Sequence, residues 1–122
     1  MMKLLSMVII GLVLYMPVPL AGGGFGIDKN DIRPRIITPN NDGLNDFFWI
    51  FYRNDFDLQV SGTIYDIDGA EVARMFHKTG AAEYSLCWDG KDGAGSVVPA
   101  GAYVYQVKAE DSIYNGIVIV AR

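Results

Sequence analysis

The stretch AYVYQVKAEDSIYNGIVIVA, residues 102–121, decides the fold class. Tyr103, Tyr105 and Val107 fall on one parity, and Gln106 and Lys108 fall on the other. A period of two is the signature of a half-buried strand, because successive side chains leave a strand on opposite sides. Ala102–Ala109 and Ile113–Ala121 are therefore predicted as the arms of a hairpin that turns at Glu110-Asp111-Ser112. In the second arm Val118 and Val120 share one face while Ile117 and Ile119 share the other, so this strand is expected to be covered on both sides.

Working outward, the same grammar repeats. Leu58–Tyr65 and Glu71–Phe76 flank Asp66-Ile67-Asp68-Gly69, and an Asp-Gly pair between two β-rich runs is a hairpin signal because both residues tolerate positive φ. Ala82–Trp88 is closed by the glycine-rich loop Asp89–Gly95, and Phe47–Tyr52 is dense in aromatics without helical spacing. Ile32–Ile37 is expected as a first strand that Pro34 keeps at a sheet edge. Beyond the first two dozen residues no segment keeps apolar side chains at helical spacing for three turns. Seven short runs with regular turns predict an all-β chain, an immunoglobulin-like two-sheet sandwich of about seven strands; a small barrel is the alternative.

The N-terminus follows different rules. Met1-Met2-Lys3 precedes an apolar run from Leu4 to Tyr15, then Pro17, Pro19 and the small residues Ala21–Gly24. This is the layout of a secretory signal peptide, and the run is shorter than the roughly 20 residues a spanning helix needs. Residues 1–23 are expected to form a signal-peptide helix that is cut after Gly23 or within a residue or two of it, an uncleaved membrane anchor or a buried helix being the alternatives. Residues 24–31 are expected to be a flexible stub, and 32–122 the domain.

Composition narrows the function. Ten Lys and Arg against 14 Asp and Glu give a net charge of −4, so nucleic acid and anionic lipid are poor partners. Cys87 is the single cysteine, which rules out an internal disulfide. An exported domain of this size must then be held by packing, and seven Tyr, six Phe and two Trp supply the material.

Three stretches together resemble known bacterial domains. ITPNNDGLND, residues 37–46, is similar to the opening of gliding-motility-associated C-terminal domains, which include sorting domains of the type IX secretion system. IYDIDGAEV, residues 64–72, resembles the hairpin of the flagellar hook-capping protein's Ig-like domain. WDGKD at 88–92, Gly95 and VPAGAYVY at 98–105 resemble a signature that both groups share, and the ending NGIVIVAR at 115–122 also fits. The resemblance covers about residues 32–122 and implies an Ig-like sandwich without catalytic activity, used for envelope attachment, export sorting or assembly. The tip Ile67-Asp68-Gly69 stands where the gliding-motility group usually has Arg-Trp-Gly, which leans towards the hook-capping group. In the sorting families the domain follows a large cargo. Here only the stretch 24–31 separates the leader from the first strand, so the expectation is a small binding protein working alone or a remnant of a longer frame.

Candidate sites are few. Asn40, Asp42, Asn45 and Asp46 offer hard oxygen ligands in a glycine-containing loop, the chemistry Ca²⁺ requires. In an EF-hand frame with Gly43 at the sixth position, Thr38 and Trp49 fall where acids are needed, so a site would need another frame, completed by Asp89 or Asp92. Equally, Asn and Asp in such a loop cap their own backbone. Trp88, Tyr65, Tyr103 and Tyr105 suit either a carbohydrate-stacking platform or, as aromatics at alternating positions, a core. His77 and Cys87 are the only nucleophilic pair, and nothing in their spacing joins them. No catalytic residue is nominated. The expected function is a non-enzymatic, exported structural or adhesive module of the cell envelope or surface, contacting a protein or polymer; a membrane enters only through an uncleaved signal segment. The alternative is a C-terminal sorting or anchoring domain recognised by a type IX-like secretion or gliding-motility system.

Overall fold

The computed structural model describes residues 24–122, so the expected signal-peptide helix over 1–23 lies outside the described residues. Among the described residues no helix is long and apolar enough to cross a membrane. In chain order the strands are β1 (Phe25–Gly26), β2 (Ile32–Arg33), β3 (Ile36–Ile37), β4 (Phe48–Phe51), β5 (Arg53–Asn54), β6 (Val60–Tyr65), β7 (Glu71–Arg74), β8 (Ser85–Trp88), β9 (Gly101–Ala109) and β10 (Ser112–Val120). A 3-10 turn at Lys29–Asp31 precedes β2, with the Asp28 carboxylate accepting from the Asn30 N–H. A large sheet runs β3-β10-β9-β6-β7, a small sheet runs β2-β4-β8, and β1 pairs with β5 in a short ribbon.

The two sheets close because their strands alternate as expected. Tyr103, Tyr105 and Val107 of β9, Val118 and Val120 of β10 and Ile64 of β6 point inward from the large sheet. Ile32, Phe48, Ile50, Leu86 and Trp88 meet them from the small sheet. Aromatic pairs bridge the layers: Phe48 lies 5.2 Å from Tyr105 and Trp88 lies 5.5 Å from Tyr103, both tilted as ring quadrupoles prefer. The all-β sandwich is thus the fold, and each of the seven predicted runs contains at least one strand.

Three features differ from the sequence expectation. Ile32–Ile37 is not one edge strand: β2 pairs with β4 in the small sheet, the Arg33–Pro34 bond is cis, and β3 pairs in parallel with β10 in the large sheet. One run therefore belongs to both layers. The stretch 24–31, expected as a flexible stub, is tied down instead. Phe25 and Gly26 pair with Asn54 and Arg53, and the Phe25 ring packs 5.4 Å from Tyr52 and 5.6 Å from Tyr114. Phe25 and Ile27, both partly buried against the core, help to hold the segment in place. Lastly, β10 is covered on its inner face only, since Ile113 and Ile117 remain 53% and 46% exposed.

Candidate functional site

The loop Thr38–Asp46 connects the crossover strand to β4, and its shape follows from one acid. The Asp46 carboxylate accepts from three backbone N–H groups: Asn40 at 3.2 Å and Asn41 at 2.9 Å on Oδ1, and Gly43 at 2.8 Å on Oδ2. Asn40 Oδ1 accepts from the Asp42 N–H at 3.2 Å, and Asp42 Oδ1 accepts from the Leu44 N–H at 2.8 Å. Thr38 closes the base by donating its N–H to the Asn45 carbonyl at 2.8 Å. Asn41 and Asn45 sit at φ 63° and 55°, a left-handed conformation that asparagine tolerates better than most residues.

Of the four residues singled out as oxygen ligands, Asn40, Asp42 and Asp46 therefore serve the loop's own backbone. Asp89 and Asp92 do the same in theirs, accepting from Lys91 N–H at 3.1 Å and from Ala94 and Ser96 N–H at 2.9 and 3.0 Å. Among the described residues no three or more His, Cys, Asp or Glu side chains are grouped so that they could hold a metal ion.

The residues of the shared signature also build structure. Trp88 is fully buried and donates its indole N–H to the Lys91 carbonyl at 2.8 Å. Tyr103 donates its hydroxyl to the Pro99 carbonyl at 2.6 Å, and the Arg122 guanidinium donates to the Val98 carbonyl at 2.9 Å. Gly90 sits at φ 76° beneath Pro39, where a Cβ would stand 2.7 Å from the proline Cγ. The motif is a latch that fastens the loop after β8 to the first loop and to β9. Accordingly Trp88, Tyr103 and Tyr105 belong to the core and Tyr65 is half-buried.

A row of half-buried aromatics lies elsewhere. Phe47, Trp49 and Phe51 occupy the outward parity of the β4 run, since Phe48 and Ile50 point inward. Trp49 lies 6.0 Å from Phe47 and stacks at 5.7 Å on Phe51. Cations cap both ends of the row, with the Arg33 guanidinium 5.0 Å over Phe51 and Lys78 Nζ 5.2 Å over Phe47. Beside this wall runs an open trough of about 460 Å³, lined also by Pro34, Gly43, Asn45 and Asp46. Asn45 thus belongs to a surface that the sequence reading missed. The available signal was the run Phe47-Phe48-Trp49-Ile50-Phe51, apolar on both parities where one face should be polar.

Cys87 faces outward from β8 yet is fully buried, opposite Trp49 on one side and Phe76 on the other. Burial first, and then the Asp89 charge, push its thiol up to about 11, with Lys78 opposing. At neutral pH it is a protonated, apolar group rather than a nucleophile. His77 Nε2 lies 2.9 Å from the Ala82 carbonyl, where it holds the loop before β8.

A family model described as the CHU_C type IX secretion signal domain matches residues 32–120. Among solved structures the chain is similar to PorZ, an essential bacterial surface component of the type IX secretion system of Porphyromonas gingivalis, at 19% identity and a TM-score of 0.46. That likeness covers 63% of this chain and only 10% of PorZ. No curated protein matches.

Proposed function

The chain belongs to the CHU_C type IX secretion signal domain family, and from that premise we propose that it is a sorting or anchoring module recognised by a type IX secretion apparatus. The observation that carries this is the family match over residues 32–120, which takes in the whole sandwich from β2 to the last residue of β10. The role fits the chemistry. A signal is read by shape, so it needs a rigid scaffold with defined loops and no reactive group. Self-capped loops, a buried protonated thiol and a latched core are consistent with a module that makes and breaks no bond, and that acts outside the cytoplasm.

The test is export. The chain is fused behind a periplasmic reporter in a bacterium with a working type IX system and in an isogenic strain without one. The reporter should reach the surface or medium only in the first strain. Equal retention in both would refute the sorting role.

A second role, adhesion to an envelope polymer or protein, is favoured by the half-buried row Phe47, Trp49 and Phe51 along its trough. Trp49→Ala should then abolish envelope binding while leaving export intact.

A further inference from the structure

A crevice of about 300 Å³ lies between the middle of β10 and the segment 27–35. Its wall carries Lys29, Arg35, Tyr105 and Asn115 beside the apolar Ile27 and Ile32, and no acid lines it. The chain as a whole is acidic, with a net charge of −4, so a wall that holds cations alone stands out. Lys29 and Arg35 are exposed and form no ion pair among the described residues. The acids nearest Lys29 in sequence are engaged elsewhere. Asp28 caps its own turn by accepting from the Asn30 N–H, and Asp31 pairs with Arg33 at 3.4 Å.

Tyr105 points to the same place independently of the cations. It is 3% exposed, and its hydroxyl has no hydrogen-bond partner among the described residues. Buried hydroxyls are normally paired, because an unpaired one loses its hydration without return. The cross-strand partner of Tyr105 on β10 is Gly116, and a Cβ there would fall on the tip of the tyrosine ring. The absent side chain lets the ring cross β10, so that the hydroxyl reaches the crevice, which both residues line. Burial raises the Tyr105 pKa and the Arg35 charge opposes that rise, which puts the guanidinium within reach of the hydroxyl. The backbone adds a further donor. The Ile119 N–H donates to the Arg35 carbonyl and the Ala121 N–H to the Ile37 carbonyl, so odd-numbered N–H groups of β10 point away from β9. By the period of two, the Asn115 N–H opens on the crevice, unpaired among the described residues.

We propose that this crevice binds the phosphoryl group of a soluble monoester such as a sugar phosphate. Charge and donor number select that group. A phosphate monoester carries about −1.5 to −2 charges at neutral pH and offers three strong acceptor oxygens. Two cations, the Tyr105 hydroxyl and the Asn115 N–H match both, whereas a carboxylate brings one charge and two oxygens. Arg35 supplies a planar fork that fits phosphate, and Lys29 a mobile point charge. The remaining space takes a small body against Ile27 and Ile32. A membrane headgroup is disfavoured, because the net negative charge of the chain is repelled by an anionic surface.

The test is a titration of the exported protein with inorganic phosphate and with a hexose phosphate, at an ionic strength held constant with chloride, followed by amide NMR. The amides of Asn115 and Gly116 should shift together and saturate, and the hexose phosphate should bind at least as tightly as the inorganic ion. Arg35→Gln and Tyr105→Phe should each weaken binding about tenfold or more, the loss expected for one hydrogen bond to a charged group. Arg74→Gln, at the opposite edge of the large sheet, should change nothing. Without phosphate, Tyr105→Phe should melt no earlier than wild type, because the hydroxyl it removes has no protein partner. Shifts that chloride reproduces, that never saturate, or that survive Arg35→Gln unchanged would overturn the site. Binding to phosphatidic acid vesicles in preference to the soluble phosphates would overturn the choice of ligand. Arg35 is exposed, so its variant decides the matter even if Tyr105→Phe fails to fold.

Discussion

Replacing Trp88 should cost more than any other single truncation in this domain, and the cost follows from its surroundings. The side chain is fully buried, packs 5.5 Å from Tyr103 of the opposite sheet, and spends its N–H on the Lys91 carbonyl. Truncating a buried Trp to Ala costs about 3–5 kcal/mol, from lost transfer energy and the cavity left behind. Trp88→Phe keeps most of the apolar contact but strands a part-buried carbonyl, for about 1–3 kcal/mol. In a domain of this size each kcal/mol lowers the melting temperature by about 4–8 °C, so Trp88→Ala should melt roughly 12–40 °C earlier. With total stability on the order of 5–15 kcal/mol, the variant sits at the edge of folding. Urea unfolding followed by far-UV circular dichroism measures both variants, and no disulfide complicates reversibility. A loss below about 1 kcal/mol for Trp88→Ala would show that the ring does not fill a close-packed interior, and the two-layer account would fail.

Gly90→Ala should lose about 1–3 kcal/mol, since the new methyl enters both a left-handed backbone and the Pro39 ring; an unchanged urea midpoint would contradict the latch. Asp46→Ala should destabilise by about 1–2 kcal/mol by removing the acceptor for three loop N–H groups, and millimolar Ca²⁺ should leave the wild-type midpoint where it is. A rise with Ca²⁺ that Asp42→Ala abolishes would instead establish a cation site in the loop. Cys87 should resist alkylation at pH 8 in the folded chain and react fully in urea. Because folding raises its pKa from 9.0 to about 11, the unfolded thiol ionises first, and stability should fall as pH rises between those values; Tyr103 and Tyr105, also raised by burial, act in the same direction above their ordinary range. Flat stability across that range would remove the buried-thiol assignment.

What the sequence made legible was whatever depends on local parity. Tyr103, Tyr105 and Val107 could sit on one face only as a strand, and Asp66–Gly69 could only turn: the Asp66 carboxylate caps the Asp68 and Ala70 N–H groups, and Gly69 takes φ 91°. Partner choice was hidden, because parity says which residues share a face and not which sheet receives them. Hence Ile32–Ile37 read as one strand although Ile32 packs in one layer and Ile37 pairs in the other. Glu71–Phe76 behaves likewise: Ala73 pairs with Ile64 of the large sheet, while Phe76 bridges to Cys87 of the small one. Phe25 looked unanchored because its partners, Tyr52 and Tyr114, lie far along the chain. In the Thr38–Asp46 loop the residue types were visible but their service was not. Asn and Asp suit a cation and a self-capped turn equally, and only the directions of the N–H groups distinguish the two.

Amide hydrogen exchange followed residue by residue tests the fold most directly. β9 is hydrogen-bonded on both edges, to β10 and to β6, and its inward residues lie under the small sheet. Amides from Tyr103 to Val107 should therefore exchange only through global unfolding, slower than any loop, with Trp88 among the protected amides of the second layer. If β9 amides exchanged as fast as those of residues 89–95, the two sheets would not be closed over a shared interior.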